Sequence, residues 1–289
     1  MQKKAHHCFN ILTFNFIAYF FLFYFFYSQF LYICTSIQKM EFALEYLLLI
    51  PIGFIAGFLN TVAGGGTLLT LPMLIFLGLP APVANGTNRI AILVQTLTAV
   101  KGFKSKGVST YPFSFYLGLS ALLGSFIGAK LAITISGEAF NKILAFIMIM
   151  VVLIILFNTN KTTNHMQERT NGKHLYWAVF IFFFLGIYGG FINAGIGFLM
   201  LAILPYLNGL SLLKSNVTKV FVVAVYTIGA VIVFAIEDKI NYPLAIVLTL
   251  GNASGAWVAS RWSVKKDDKV IKWFLLITVS SLAIKLWFF

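Results

Sequence analysis

Long apolar runs alternate with short polar or basic stretches along almost the whole chain. Each long run approaches the roughly 20 residues that a helix needs to cross a bilayer core. The first run, rich in Phe and Tyr, spans about 11 to 33. Helices are then expected over about 42–60, 67–79, 89–101, 112–133 and 139–157. A polar linker, about 158–174, carries no apolar run. Beyond it the pattern predicts helices over about 175–194 and 198–208, one from Ser215 to about 235, one over 242–261 and a last one ending near 287. Polar residues from Pro82 to Arg89 read as a turn before the third helix, and Ser215–Lys219 stands in the matching place later on.

Two of these runs are interrupted. The first contains Gly53, Gly57, Asn60, then Gly64-Gly65-Gly66-Thr67, and Pro72. Three glycines in succession make poor helix interior, since each costs about 1 kcal/mol relative to alanine. A break inside lipid is tolerated only where protein buries the freed backbone or a wet cavity meets it. The same signature recurs one half-chain later. Gly53, Gly57, Phe58, Asn60, Gly64 and Pro72 fall on Gly186, Gly190, Phe191, Asn193, Gly197 and Pro205 at one constant offset. Chance explains apolar matches but not joint matches of Gly, Asn and Pro. Paired, Gly/Pro-interrupted segments in two halves are a pointer to the binding site of a membrane carrier.

Composition agrees with the pattern. Of 289 residues 60% are hydrophobic and 10% charged, with a mean hydropathy of +0.92, whereas soluble domains carry about 25% charged residues. The chain is read as an all-α integral membrane protein with the lipid bilayer as its partner. Its net charge of +13 therefore points to topology and not to nucleic acid. Lys and Arg gather in the N-terminal tail, at 101–106, in the linker and at 261–269, and basic loops face the cytoplasm. All four share one side only if each interrupted segment returns to the side it came from. The halves then have opposite orientations: two inverted repeats, each a broken, re-entrant helix hairpin plus three transmembrane helices. On this reading residues 40–157 form the first repeat, 158–174 a cytoplasmic linker and 175–289 the second repeat. Residues 1–39 form an extra hydrophobic segment. It is either a basic, signal-anchor-like run or lies outside the natural protein, with Met40 as the start.

Candidate chemistry clusters at the two breaks. Helices restarting after Gly66 and Gly197 would aim free N–H groups and the positive end of the macrodipole at one point, which favours an anion. The expected binding residues are Asn60, Gly64, Gly65, Gly66, Thr67, Asn88 and Arg89 from the first half. Asn193, Gly195, Gly197, Thr218 and Lys219 complete the set. Other readings stay open at this stage. The glycines could serve tight helix packing, and the two asparagines could join helices. Arg89 and Lys219 could snorkel to the interface. All eight acidic residues lie in loops or near segment ends, so no mid-helix carboxylate offers a cation site or proton relay. Cys8 and Cys34 flank an apolar run and imply no disulfide framework. The four histidines show no metal-ligand spacing, and no metal or cofactor is expected.

Gly53-x3-Gly57, Gly64-Gly65-Gly66-x5-Pro72 and Asn85-Gly-Thr-Asn, repeated more loosely in the second half, resemble the TauE/SafE sulfite exporter family, also called the toluene sulfonate uptake permease family. The resemblance covers about residues 42–287. It implies a multi-pass permease of the bacterial inner membrane for sulfite, sulfonates or related organosulfur anions. The second half departs from the pattern at Gly195-Ile-Gly197 and at Val217-Thr218. A secondary transporter of a small anionic solute, not an enzyme, is the function expected. An intramembrane enzyme acting on lipid or an isoprenoid phosphate, or a membrane scaffold, are the alternatives. Either a monomer or a homodimer fits the sequence.

Overall fold

The computed structural model describes residues 46–140, 142–144, 146 and 167–264. The N-terminal run to residue 39, the polar part of the linker before residue 167 and the last expected helix lie outside the described residues. The described chain is helical: α1 (Tyr46–Val62), α2 (Thr67–Phe76), α3 (Ala81–Lys104), α4 (Phe113–Thr134), α5 (Lys173–Phe191), α6 (Ile196–Asn208), α7 (Leu212–Ile236) and α8 (Tyr242–Val264). Among the described residues α4, α5, α7 and α8 are long and apolar enough to cross a membrane, while α1, α2 and α6 are shorter apolar helices. The protein is a multi-pass, all-α membrane protein.

Both interrupted runs are broken helices. Between α1 and α2 the chain leaves helical geometry at Gly64, whose φ is +92°. Between α5 and α6 it does so at Asn193 (φ 59°) and Gly195 (φ 71°). Residues 63–66 and 192–195 are buried, so protein and not lipid surrounds the freed backbone, as the bilayer requires.

Each broken helix packs on a helix from the other half of the chain. A Cβ at Gly251 would lie 2.2 Å from Ile50 O, and one at Gly255 would lie 2.0 Å from Phe54 O. The corresponding pair is Gly124 at 2.1 Å from Phe183 O and Gly128 at 1.9 Å from Ile187 O. Small residues at this spacing bring helix backbones into contact. Contacts advance four residues at a time in the same sense on both helices, so α1 runs parallel to α8, and α5 parallel to α4. The remaining long contacts, α3 with α8, α4 with α7 and α3 with α7, complete the interleaving. The described residues from 48 onward accordingly belong to one compact unit.

Polar contacts define two ends of this bundle. At one, Arg261 Nη2 donates to Ser105 Oγ (3.2 Å), Arg169 N to Asn208 O (2.8 Å) and Asn208 Nδ2 to Arg169 O (2.9 Å). At the other, Lys130 pairs with Glu237 (3.3 Å), and Asn241 N donates to Thr87 Oγ1 (2.9 Å). The segment before α5 and the end of α6 thus meet at the first end. The α1–α2 pair instead opens into α3 at the second end. The two hairpins enter from opposite ends, and the loop at 101–106 shares its end with Arg261 and the linker.

The turn expected from Pro82 to Arg89 is instead helix, because α3 begins at Ala81. Pro80 caps it with an extended ψ of 141°, and Pro82 lies in the first turn, where its missing N–H costs nothing. Ser215–Lys219 is likewise inside α7, whose N-cap Ser211 accepts from Lys214 N at 3.2 Å. Asn85, Thr87, Arg89 and Lys219 in these stretches bond to other elements and not to a local turn; Asn85 Nδ2, for one, donates to Phe191 O at 2.7 Å.

Candidate functional site

The two breaks meet. A methyl at Gly64 would lie 2.3 Å from Gly197 Cα, and one at Gly197 would lie 2.3 Å from Gly64 Cα. Gly64 thus needs its absent side chain twice over, for its left-handed backbone and for this crossing. Around the crossing the arms lock together. A Cβ at Gly66 would lie 2.1 Å from Ala56 O, and one at Gly65 would lie 2.8 Å from the Phe198 ring. Asn193 Nδ2 donates to Thr67 Oγ1 at 3.0 Å, and Tyr226 Oη donates to Asn193 Oδ1. Asparagine is among the few residues other than glycine that adopt the left-handed region readily, so Asn193 supplies both the turn and the link.

Arg89 and Lys219 do not snorkel. They are 0% and 2% exposed and reach inward, each to the end of the other half's first arm. Lys219 Nζ donates to Asn60 O and Thr61 O, both at 3.0 Å. Arg89 Nη1 donates to Gly189 O, and Nη2 donates to Gly190 O at 2.9 Å. These carbonyls belong to the last turns of α1 and α5, the negative ends of the helix macrodipole, where a cation is stabilised. Arg89 also lies 5.9 Å from the Phe234 ring centroid. Neither cation has a carboxylate partner among the described residues. The ion pairs there are Lys130–Glu237, Lys142–Glu138 and Lys214–Glu168, all at least one-third exposed.

Beside the crossing lies a small cavity of about 10 Å³, room for one water-sized group. Of the expected residues, Asn60, Gly64, Asn193, Gly197 and Lys219 line it. Gly65, Gly66, Thr67 and Gly195 build the breaks around it without lining it. Arg89 sits beneath the α5 end. Thr218 Oγ1 is turned to its own helix, donating to Lys214 O at 2.9 Å. Asn88 is buried with neither side-chain polar atom hydrogen-bonded within the described residues.

Gln95, Thr96, Ile196, Val220 and Val223 also line the cavity, and sequence reasoning missed them. Gln95 Oε1 accepts from Asn60 Nδ2 at 3.2 Å. Thr96 follows Arg89 by seven residues, which puts the two on one helix face; that spacing was the signal available.

A polar hairpin crossing, two buried cations and an apolar surround are now in place. The sequence matches the family described as "Sulfite exporter TauE/SafE" over residues 49–286. The chain belongs to the TauE/SafE family. Among its curated relatives is a "probable membrane transporter protein ORF9" of Sinorhizobium sp., 28% identical over 86% of this chain and 94% of that protein. Another, from Haemophilus influenzae, is 26% identical over 82% of this chain and 93% of its own length. "Probable membrane transporter protein YfcA" of Escherichia coli K12 is 26% identical over 81% and 87%. No solved structure matches the chain. The family match spans both breaks, both cations and every residue that lines the cavity.

Proposed function

We propose that this protein is a secondary transporter of small anions in the bacterial inner membrane, with sulfite, sulfonates or related organosulfur compounds as its passengers. The carrying observation is the pair of buried cations, Arg89 and Lys219, that cap opposite hairpins with no carboxylate among the described residues to cancel them.

Carbonyl partners make the burial tolerable. A hydrogen bond to a charged group contributes about 1.5–3 kcal/mol, and two of them are comparable to the several kcal/mol that burying one ion costs. They leave its positive charge in place. Both negative helix ends are covered by a cation, while the amide ends of α2 and α6 start at the crossing. An anion 4 Å from such a charge gains about 4 kcal/mol at an effective dielectric of 20; a cation would lose as much. Lys219 has three N–H donors. Two are committed to Asn60 O and Thr61 O, which leaves one for a passenger in the cavity that Lys219 lines.

Opposed hairpins that meet at one site support the inverted-repeat reading, in which one arm pair rocks against the other around a shared site. A carrier suits the lining better than an enzyme does, since among the described residues neither histidine nor carboxylate lines the cavity. The test is uptake of labelled sulfite, taurine and sulfoacetate into proteoliposomes holding the purified protein. Flux above empty liposomes for at least one of these is expected. Its absence for all three, together with absence of any other anion flux, would refute the proposal.

A further inference from the structure

Two interleaved copies of one unit would ordinarily make two equivalent half-sites, one beside each buried cation. A cavity lies beside Lys219, and a side chain occupies the corresponding position beside Arg89. Beside Lys219 the cavity is open, lined by Asn60, Gln95 and Thr96. The counterpart place beside Arg89 is bordered by Asn193 and the end of α5, and there the ring of Tyr226 stands. A methyl on Gly189 would lie 2.8 Å from Tyr226 Cζ, and the phenol donates to Asn193 Oδ1. Tyr226 follows Lys219 by seven residues, as Thr96 follows Arg89. One position of the repeat thus carries a small side chain on α3 and a large one on α7. Tyr226 is 0% exposed and belongs to the central apolar cluster with Ile92, Leu117, Phe182 and Met200.

Resting on the anion reading above, we infer that Tyr226 fills the position that the repeat would otherwise leave open beside Arg89, so that the chain holds a single anion, at the crossing and next to Lys219. Thr96 is the specificity-determining counterpart, because its small side chain leaves the room. Asn193 lines the same cavity with its side chain already engaged. Its amide nitrogen is bound to Thr67 and its oxygen to Tyr226. Asn60, bonded to Gln95 and half-buried, is the asparagine that meets the ligand. Arg89 then serves mainly position: its Nη atoms donate to Gly189 O and Gly190 O, its Nε–H has no partner among the described residues, and the Tyr226 ring stands against Gly189.

Bromide is a small monatomic anion that anomalous scattering locates, so crystals soaked in bromide provide the test. Wild-type protein is expected to show one central peak, beside Lys219. Y226T, which puts a threonine at the position equivalent to Thr96, is expected to show two, the second beside Arg89. Y226F keeps the ring and is expected to show one. T96Y is expected to lose the Lys219 peak. Fluorescence size-exclusion of each variant first establishes that it folds; should Y226T fail that check, wild type and Y226F decide between one site and two. A wild-type peak beside Arg89, alone or with one beside Lys219, overturns the inference and leaves an anion carrier standing. No central peak in wild type overturns the anion site itself.

Discussion

Lys219 and Arg89 illustrate how one physical role can be doubled and one chemical role kept single. Both cap the carbonyl end of a broken helix; only Lys219 lines the cavity. K219M is therefore expected to abolish binding of labelled sulfite, whereas R89M is expected to lower the melting temperature in detergent and to weaken sulfite binding less than K219M does. Parallel scintillation-proximity and thermal-denaturation measurements check both. Asn193 offers a second test. Its backbone is left-handed and its side chain joins Thr67 to Tyr226. N193G loses the side-chain bonds but suits the backbone. N193A loses both, and the left-handed conformation costs a non-glycine residue about 1–2 kcal/mol. N193A is thus expected to melt below N193G; the reverse order would show that the turn carries no strain.

The broken hairpins are held by helix faces of small residues, and the packing is the same on both sides. Gly128 against Ile187 and Gly255 against Phe54 leave no room for a side chain. Overpacking of a core contact costs about 1–3 kcal/mol, and here the obstacle is backbone, which yields little. G128L and G255L are expected to destabilise by similar amounts, of that order or more. Gly137, with open space around it and no left-handed backbone, is the control, and G137A is expected to be neutral. Thermal denaturation in detergent reads all three. A large difference between G128L and G255L would mean that the two hairpins are not equivalently packed.

On the scale of the molecule, charge placement and contact geometry agree. The basic stretch 101–106 sits with Arg261 and the linker at one end of the bundle, and the Lys130–Glu237 pair sits at the other. With the basic end in the cytoplasm, a cysteine at position 106 is expected to react with an impermeant maleimide only from the cytoplasmic side. One at position 138 is expected to react only from outside, in a chain with Cys8 and Cys34 replaced. Lys106 and Glu138 are both exposed. Labelling of both from the same side would refute the two-ended arrangement. Helix α3 shows why hydropathy alone undercounts such folds. It has 24 residues, about 36 Å of helix, yet it is not among the strongly apolar spans. Its buried positions include Asn85, Thr87, Asn88, Arg89 and Gln95, because its inner face supplies the site.

Membrane class, the two interruptions and the duplicated Gly–Asn–Pro signature were legible in the sequence. The reason is that lipid demands long apolar runs and that glycine and proline disturb a helix wherever they stand. The same local logic misread 82–89 as a turn and left the two cations undecided between surface and interior. A polar residue looks alike whether water or another helix satisfies it, and only the partner decides. Those partners lie about a hundred residues or more away, as with Arg89 and Gly189 or Lys219 and Asn60. Tertiary structure alone therefore decided that each cation caps the opposite hairpin, that Gly64 crosses Gly197, and that a tyrosine fills the space beside one cation while a threonine leaves it empty beside the other.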